Sequence, residues 1–432
     1  MKVFISFLFC LSFLKGFSQS DEQALEKALF DLPDVSFKKI SEPGDLYLKY
    51  DLLVKQPLDH AHPEKGFFSQ RVILTHKSFS NPTVMETQGY WLNTKRNEIE
   101  KLTVANNLNI EYRFFGKSLP DSMDWNYLTV EQAMADLHKI NQLFRGIYKN
   151  KWISTGISKG GSTTIYYKYF FPNDVDLAIP YVAPLDNSLE DKRIYTFLDT
   201  MGTQDCRNKI KKFQLFLLKH ENEALEKLKW YSKGNGLNYT YIGSIGKSFE
   251  YSVLEYSFSF WQYNDNCESI PTNNVLDDYL QALLKTSDIF AFSDEGIKMF
   301  EAHSYQAATQ CGYYGYNIAP FKNYLHYFKE NPTAIFPPKS ANVSNFDSSL
   351  NQKVQEWLEV SGNNLIYIYG GNDTWTAAGI MVSNKVNSKK FVIPQTNHAT
   401  ARIKNMDIIM QQEFRQIVKQ LIDLNITFEA VK

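Results

Sequence analysis

Gly156-Ile157-Ser158-Lys159-Gly160 sets one serine between glycines, where a β-rich run (Trp152 to Thr155) gives way to a helical one (Ser162 to Phe171). A strand that turns into a helix this abruptly would clash with side chains at the flanking positions, and it holds the apical residue in a strained backbone conformation. The pentapeptide alone is a weak signal, because a glycine-rich turn with a bystander serine reads the same way. The strand before it and the helix after it favour a nucleophile elbow, and an elbow requires a sheet with helices on its faces.

The rest of the chain is ordered to match. Asp51 to Lys77, with QPLDH (Gln56 to His60) and the alternating run Arg71 to Thr75, reads as antiparallel strands. Pro82 to Thr87 and Leu108 to Phe114 read as core strands. Thr129 to Tyr148 reads as a helix, with Ala133, Leu137, Ile140, Phe144 and Ile147 on one face and Thr129 with Gln132 as a capping box. Leu177 to Leu185 is a further buried strand. The alternation stops between Asn187 and Asn345, where the chain is helical and then aromatic and irregular, as expected of an inserted cap. It resumes with a strand (Asn364 to Gly371), a helix-like segment, a strand (Lys389 to Pro394) and a last helix carrying Ile409, Phe414, Ile417, Val418 and Leu421. The expected architecture is an α/β-hydrolase fold, a mainly parallel sheet with a large, mostly helical cap between its two halves. The expected segments are 1–18 (signal peptide), 19–186 (core), 187–345 (cap) and 346–432 (core).

A serine hydroxyl is nearly inert at neutral pH and needs a base, which in turn needs an orienting acid. In this fold the order is serine, acid, histidine, each on a loop at the same end of the sheet. Asp373 follows the strand ending at Gly371, and His398 follows the strand ending at Pro394. Asp347 is a more distant rival for the acid. Asp136 and His138 lie inside the amphipathic helix, and His220 and His303 lie in the cap, so all four read as surface or structural residues. The oxyanion formed on attack needs two backbone N–H donors. Lys159, directly after the serine, should supply one, and Tyr90 in the loop after the early strand the other.

The formal net charge of −1, from 46 basic and 47 acidic residues, gives no electrostatic case for nucleic acid or an anionic membrane. Lys2, an apolar run from Val3 to Leu14 and small residues at Gly16 and Ser18 form a signal peptide, with cleavage expected after Ser18 and export to the periplasm or the medium. Roughly 12 apolar residues are too few to span a bilayer. Phe9 before Cys10 argues against a lipid anchor. Cys206, Cys267 and Cys311 then remain, enough for one disulfide of unspecified pairing and one thiol. No His or Cys cluster has metal-ligand spacing, and neither metal nor cofactor is expected.

QPLDH, IEYRFFGKSLP (Ile110 to Pro120), YLTVEQAMAD (Tyr127 to Asp136), TGISKGGSTTIYYKYFFPNDVD (Thr155 to Asp176), YVAPLD (Tyr181 to Asp186), GGNDTW (Gly370 to Trp375) and NHATA (Asn397 to Ala401) together resemble the secreted prolyl tri/tetrapeptidyl aminopeptidases. They are similar, more distantly, to lysosomal prolylcarboxypeptidase and its dipeptidyl-peptidase relative. The resemblance runs from about Asp51 to the C-terminal helix and is faint in the cap. It implies a serine exopeptidase that releases tri- or tetrapeptides from a free N-terminus, preferring proline before the cut, with Ser158, Asp373 and His398 as its triad. Ile157-Ser158-Lys159 departs from the Gly-Ser-Tyr of the lysosomal enzymes and favours the bacterial-type branch.

Such an enzyme must bind an ammonium and a proline ring. Glu86, Glu111, Asp205, Glu255 and Glu268 are candidates for the first, and aromatic cap residues such as Trp261 and Tyr313 for the second. Two other readings stand beside it: an esterase or lipase using the same triad, opposed by the lack of an HGGG-type loop, and a non-catalytic binding protein on a hydrolase scaffold.

Overall fold

The computed structural model describes residues 19–428 apart from 43, 265 and 344, so the expected signal peptide lies outside the described residues. Helix α1 (Gln19–Phe30) precedes β1 (Val35–Lys39), β2 (Leu48–Pro57) and β3 (Phe67–His76), an antiparallel meander. Period-two patterning sets its inner face: Tyr50, Leu52 and Val54 of β2 and Val72 and Leu74 of β3 are fully buried. Then follow β4 (Thr83–Thr87), α2 (Glu98–Thr103), β5 (Asn106–Ile110), α3 (Val130–Arg145), β6 (Trp152–Ile157), α4 (Lys159–Phe170) and β7 (Leu177–Tyr181).

Between β7 and β8 the chain leaves the sheet and forms α5 (Arg193–Thr200), α6 (Gln204–Lys219), α7 (Glu221–Gly234), α8 (Ile245–Ser259) with a π-helical turn at Phe260–Asn264, α9 (Leu276–Thr286), α10 (Asp294–Met299) and α11 (Glu301–Gln306). Helices α5 to α10 close over a hydrophobic core of their own, which draws Trp375 from the second half of the sheet domain, while Ala302 and Tyr305 of α11 pack into the core on the sheet. A disulfide, Cys206–Cys267, joins the start of α6 to the segment after the π-turn, and Cys311 is the free thiol. The chain returns through α12 (Ser349–Val360), β8 (Ile366–Gly370), β9 (Lys389–Ile393) and α13 (Ile408–Ile422).

The nine strands lie in the order β1-β2-β3-β5-β4-β6-β7-β8-β9, parallel from β5 to β9 and antiparallel before it. Helices α1, α3, α4 and α12 pack on one face and α2 and α13 on the other. This is the α/β-hydrolase fold. Strands β4, β5, β7 and β8 are buried at every position, as parallel strands covered on both faces must be.

Three local readings need correction. The strand expected over Leu108 to Phe114 ends at Ile110, because the Glu111 carboxylate accepts from Lys117 N and Ser118 Oγ and turns the chain back. The helix-like segment between β8 and β9 is a single 3-10 turn, Thr374–Ala378. Thr129 caps α3 by accepting from Gln132 N, but the Gln132 side chain bonds Asp59 and His60 and does not complete a capping box.

Asp136, on α3, holds the turn after β5. It takes a bidentate bond from Arg113 (2.6 and 2.7 Å), both side chains are fully buried, and Arg113 also donates to Leu58 O and Tyr127 O. Without Arg113 the buried Asp136 carboxylate would keep the His60 ring, 2.7 Å from Oδ1, but lose both guanidinium bonds. Arg113→Met should therefore cost about 3–5 kcal/mol of unfolding free energy in urea titration; a loss below about 1 kcal/mol would contradict this account of the turn.

Candidate active site

Ser158 has φ 60° and ψ −127°, in a region costly for any residue with a side chain. What compels it is the approach of β4, β6 and α4. A Cβ on Gly156 would lie 2.2 Å from Gly160 O and 2.5 Å from Thr87 O, and one on Gly160 would lie 2.6 Å from Thr87 O. Thr87 Oγ1 binds the crossing together, 2.9 Å from Gly160 O and 2.6 Å from Thr164 Oγ1. Ser158 N donates to Tyr181 O at 2.9 Å, so the elbow is fixed from the β7 side as well.

Asp373 and His398 leave the C-terminal ends of the adjacent parallel strands β8 and β9. His398 Nδ1 lies 2.8 Å from Asp373 Oδ2, with Asp373 fully buried and His398 nearly so. The other carboxylate oxygen of Asp373 accepts from Trp375 N. An Nδ1–H donated to the carboxylate leaves Nε2 free to accept a proton. The cap fixes both loops: His398 N donates to Gln262 O, Asn397 Nδ2 to Tyr263 O and Thr374 Oγ1 to Phe258 O.

Ser158 and His398 line one cavity of about 740 Å³ between sheet and cap, with Glu86 and Tyr90 from the sheet side and Glu255, Phe300 and Tyr313 from the cap. A smaller recess of about 40 Å³ opens beside Ser158, walled by Tyr90, Tyr112, Tyr166, Tyr313 and Trp375. The profile of the PS-10 peptidase S37 family matches residues 22–424. The chain belongs to this peptidase family. It is a serine peptidase, 31% identical over 385 residues to a prolyl tri/tetrapeptidyl aminopeptidase of Streptomyces mobaraensis, covering 87% of this chain and 80% of that one. A prolyl carboxy peptidase like protein of Caenorhabditis elegans is 31% identical over 113 residues, 22% of each chain. Among solved structures, proline iminopeptidase of Mycobacterium smegmatis aligns with a TM-score of 0.43 and 14% identity, over 86% of this chain and 97% of that one.

The peptidase cavity sorts the residues read from sequence. Glu86 and Glu255 both line it and both are buried, which pushes each carboxyl up to about 7. Glu86 accepts from the side-chain amides of Gln88, Asn97 and Asn107, whereas Glu255 accepts from Ser259 Oγ and from the hydroxyls of Tyr314 (2.9 Å) and Tyr316 (2.8 Å). Glu111 does not line the cavity: its Oε2 holds the 111–118 turn and its Oε1 accepts from Leu92 N. Asp205 and Glu268 share Lys209 on the outer surface of the cap. Trp261 is also misplaced by the sequence reading. It is buried against Gly202 and faces a separate cap cavity, because the π-turn rotates it away from Ser158.

Of the rivals, Asp136 serves Arg113, His138 pairs with Asp174, and His220 bonds Phe216 O. Asp347 is at the start of α12 and accepts from Ser349. His303 was read as peripheral, yet it is buried and lines both the cavity and the recess. Trp375 was missed, although it stands two residues after Asp373. Outside the cavity, Glu221, Glu250 and His326 bring ligand atoms within 4.8 Å of one another. There Glu250 accepts from the backbone of His326 and Tyr327, and Glu221 bonds the His326 ring, so the group closes a loop.

Gly156→Ala tests the elbow, because the added methyl has only backbone to push against. The variant should lose more than about 2 kcal/mol of stability by overpacking, and peptidase kcat should fall at least roughly a hundredfold. Near-normal kcat and melting temperature would show that the crossing tolerates a methyl.

Proposed function

We propose that this S37 peptidase removes tri- or tetrapeptides from free N-termini, cutting after proline, by acyl-enzyme chemistry at Ser158. The observation that carries the reading is the hydrogen-bonded Asp373–His398 pair in one cavity with a serine held at φ 60°. His398 Nε2 takes the Ser158 proton as Oγ attacks the proline carbonyl carbon. The backbone N–H groups of Lys159 and Tyr90 receive the oxyanion. Collapse breaks the C–N bond, His398 returns the proton to the leaving amine, and water then attacks the acyl ester by the same route and frees the peptide.

Proline before the cut is supported by the recess beside Ser158, whose size and aromatic faces (Tyr90, Tyr112, Tyr166, Tyr313, Trp375) suit a small ring. Exopeptidase action is supported by Glu255, a buried carboxylate whose side-chain hydrogen-bond partners among the described residues are hydroxyl donors. The countercharge it lacks is what an α-ammonium would bring, and in a desolvated cavity that attraction is strong. The disulfide and the apolar run at Val3 to Leu14 support export, into an oxidising compartment where Cys206–Cys267 persists. Among the described residues no helix is long and apolar enough to cross a membrane.

A fluorogenic Ala-Ala-Pro amide with a free amine, beside its N-acetylated twin, tests the reading. Cleavage of the free peptide alone, abolished in Ser158→Ala, is the expected result. Equal cleavage of the acetylated twin would make the enzyme an endopeptidase.

A carboxyl raised to about 7 by burial is neutral below that pH and ionised above it. KM for the free-amine substrate should therefore rise as pH falls from 8 to 6. Glu255→Gln should raise KM roughly thirtyfold at pH 8, about 2 kcal/mol, and flatten that rise. If Glu86→Gln does this and Glu255→Gln does not, the amine anchor is Glu86.

A further inference from the structure

Lys159 is a lysine in an unusual place. It follows the serine directly, its side chain is buried, and among the described residues no carboxylate lies within ion-pairing distance of it. Taking an ammonium out of water without a counterion is costly, and an apolar residue would fill the same space without that cost. Burial lowers its pKa to about 7. The groups around it in the recess include the His303 ring, the Cys311 thiol, the Tyr166 hydroxyl and the Asp186 carboxyl, whose own ionisation burial disfavours.

Two contacts explain where the side chain goes. Nζ donates to Gly89 O at 2.9 Å, and it lies 3.5 Å from the centroid of the Tyr112 ring. Gly89 is packed so closely on this lysine that a Cβ there would sit 2.5 Å from Lys159 Cβ. Gly89 C=O and Tyr90 N–H belong to one peptide unit, which is planar and trans, so gripping the carbonyl on one side aims the N–H to the other. A charge-assisted bond to the carbonyl also polarises the amide and makes its N–H a stronger donor. The next carbonyl, Tyr90 O, is held by Tyr112 N at 3.0 Å.

We infer that Lys159 is the positioning residue of the oxyanion hole, giving one donor from its backbone and clamping the Gly89–Tyr90 peptide that gives the other. The inference rests on the assignment of those two donors above. It binds both halves of the hole to one residue, so the hole is assembled only when β4 and α4 are in register.

The test uses the full-length enzyme, the Ala-Ala-Pro amide, a peptidyl boronate ending in boroproline, and the product Ala-Ala-Pro. Lys159→Met keeps the length and loses the donor. It should lower kcat roughly a hundredfold and weaken the boronate by a similar factor, with KM and product affinity within about threefold, since only the tetrahedral species uses the hole. Lys159→Ala should recover at least tenfold in kcat, saturably, with added propylamine, which refills the vacated space with an amine. Unchanged kcat in Lys159→Met, or equal losses of boronate and product affinity, would overturn the clamp.

If both variants fail to fold, wild-type enzyme labelled with ¹³C-carbonyl glycine and ¹⁵N-tyrosine reports directly. It has three Gly–Tyr peptides, at 89–90, 312–313 and 315–316. The Gly89 carbonyl carbon should be deshielded relative to Gly312 and Gly315 by the lysine bond, and a Gly89 carbonyl no more deshielded than those two would overturn the clamp. Cleavage that survives Ser158→Ala would bring down the reading of the site and the clamp together.

Discussion

Three backbone segments meet at Thr87, Gly156 and Gly160, with the two glycines leaving no room for a side chain of their own, and the site hangs on that contact. The Thr87 carbonyl is close enough to both glycines that neither could carry a methyl group. That closeness puts the end of β4 beside the start of α4, so the loop after one strand and the residue after the serine share a space. The strained Ser158 backbone is a consequence, because φ 60° is what the chain must adopt to leave β6 and enter α4 within one residue. The cost, roughly 1–3 kcal/mol, is offset by the burial of β4, β6 and β7 around it.

Much of this was legible in the sequence, for identifiable reasons. The elbow was visible because glycine is demanded by local sterics, and Asp373 and His398 because the fold fixes their order and both follow apolar strands. The strand at Leu108 to Phe114 was over-extended because Glu111 and Arg113 act through partners remote in sequence, at Ser118 and Asp136. Trp261 was misassigned because a π-turn shifts the face of a helix without altering its composition. Glu86, Glu111 and Glu255 looked alike as letters, and only burial and partners separate them. The side chain of Lys159 was overlooked since a lysine beside a nucleophile suggests a backbone donor and a solvated tail, and nothing local says that the tail turns inward.

Apart from the Asp373–His398 pair, the cavity and its recess hold Glu86, Glu255 and Lys159 with no ion-pair partner among the described residues. Glu86 and Glu255 are surrounded by amides and hydroxyls, and Lys159 by a carbonyl and aromatic rings. In a low-dielectric space, neutral donors and acceptors hold such groups in place while leaving their charges available. Under the proposed function, a substrate amine and a developing oxyanion are the charges that would complete such a site, which would account for carboxylates and a lysine being placed apart instead of neutralising one another.

The loops of Asp373 and His398 donate hydrogen bonds to the carbonyls of Phe258, Gln262 and Tyr263, all within the end of one cap helix and its π-turn. The element that bears Glu255 is thus the same element that seats Asp373 and His398. Under the proposed function, specificity and chemistry are mechanically one part. A lineage could not acquire a new substrate range by exchanging the insertion wholesale, as a tool exchanges its head, because the incoming segment would have to reproduce three backbone acceptors for loops it had never met. Diversification is left to side chains on the existing helices, and the insertion and the sheet must be inherited as a single unit.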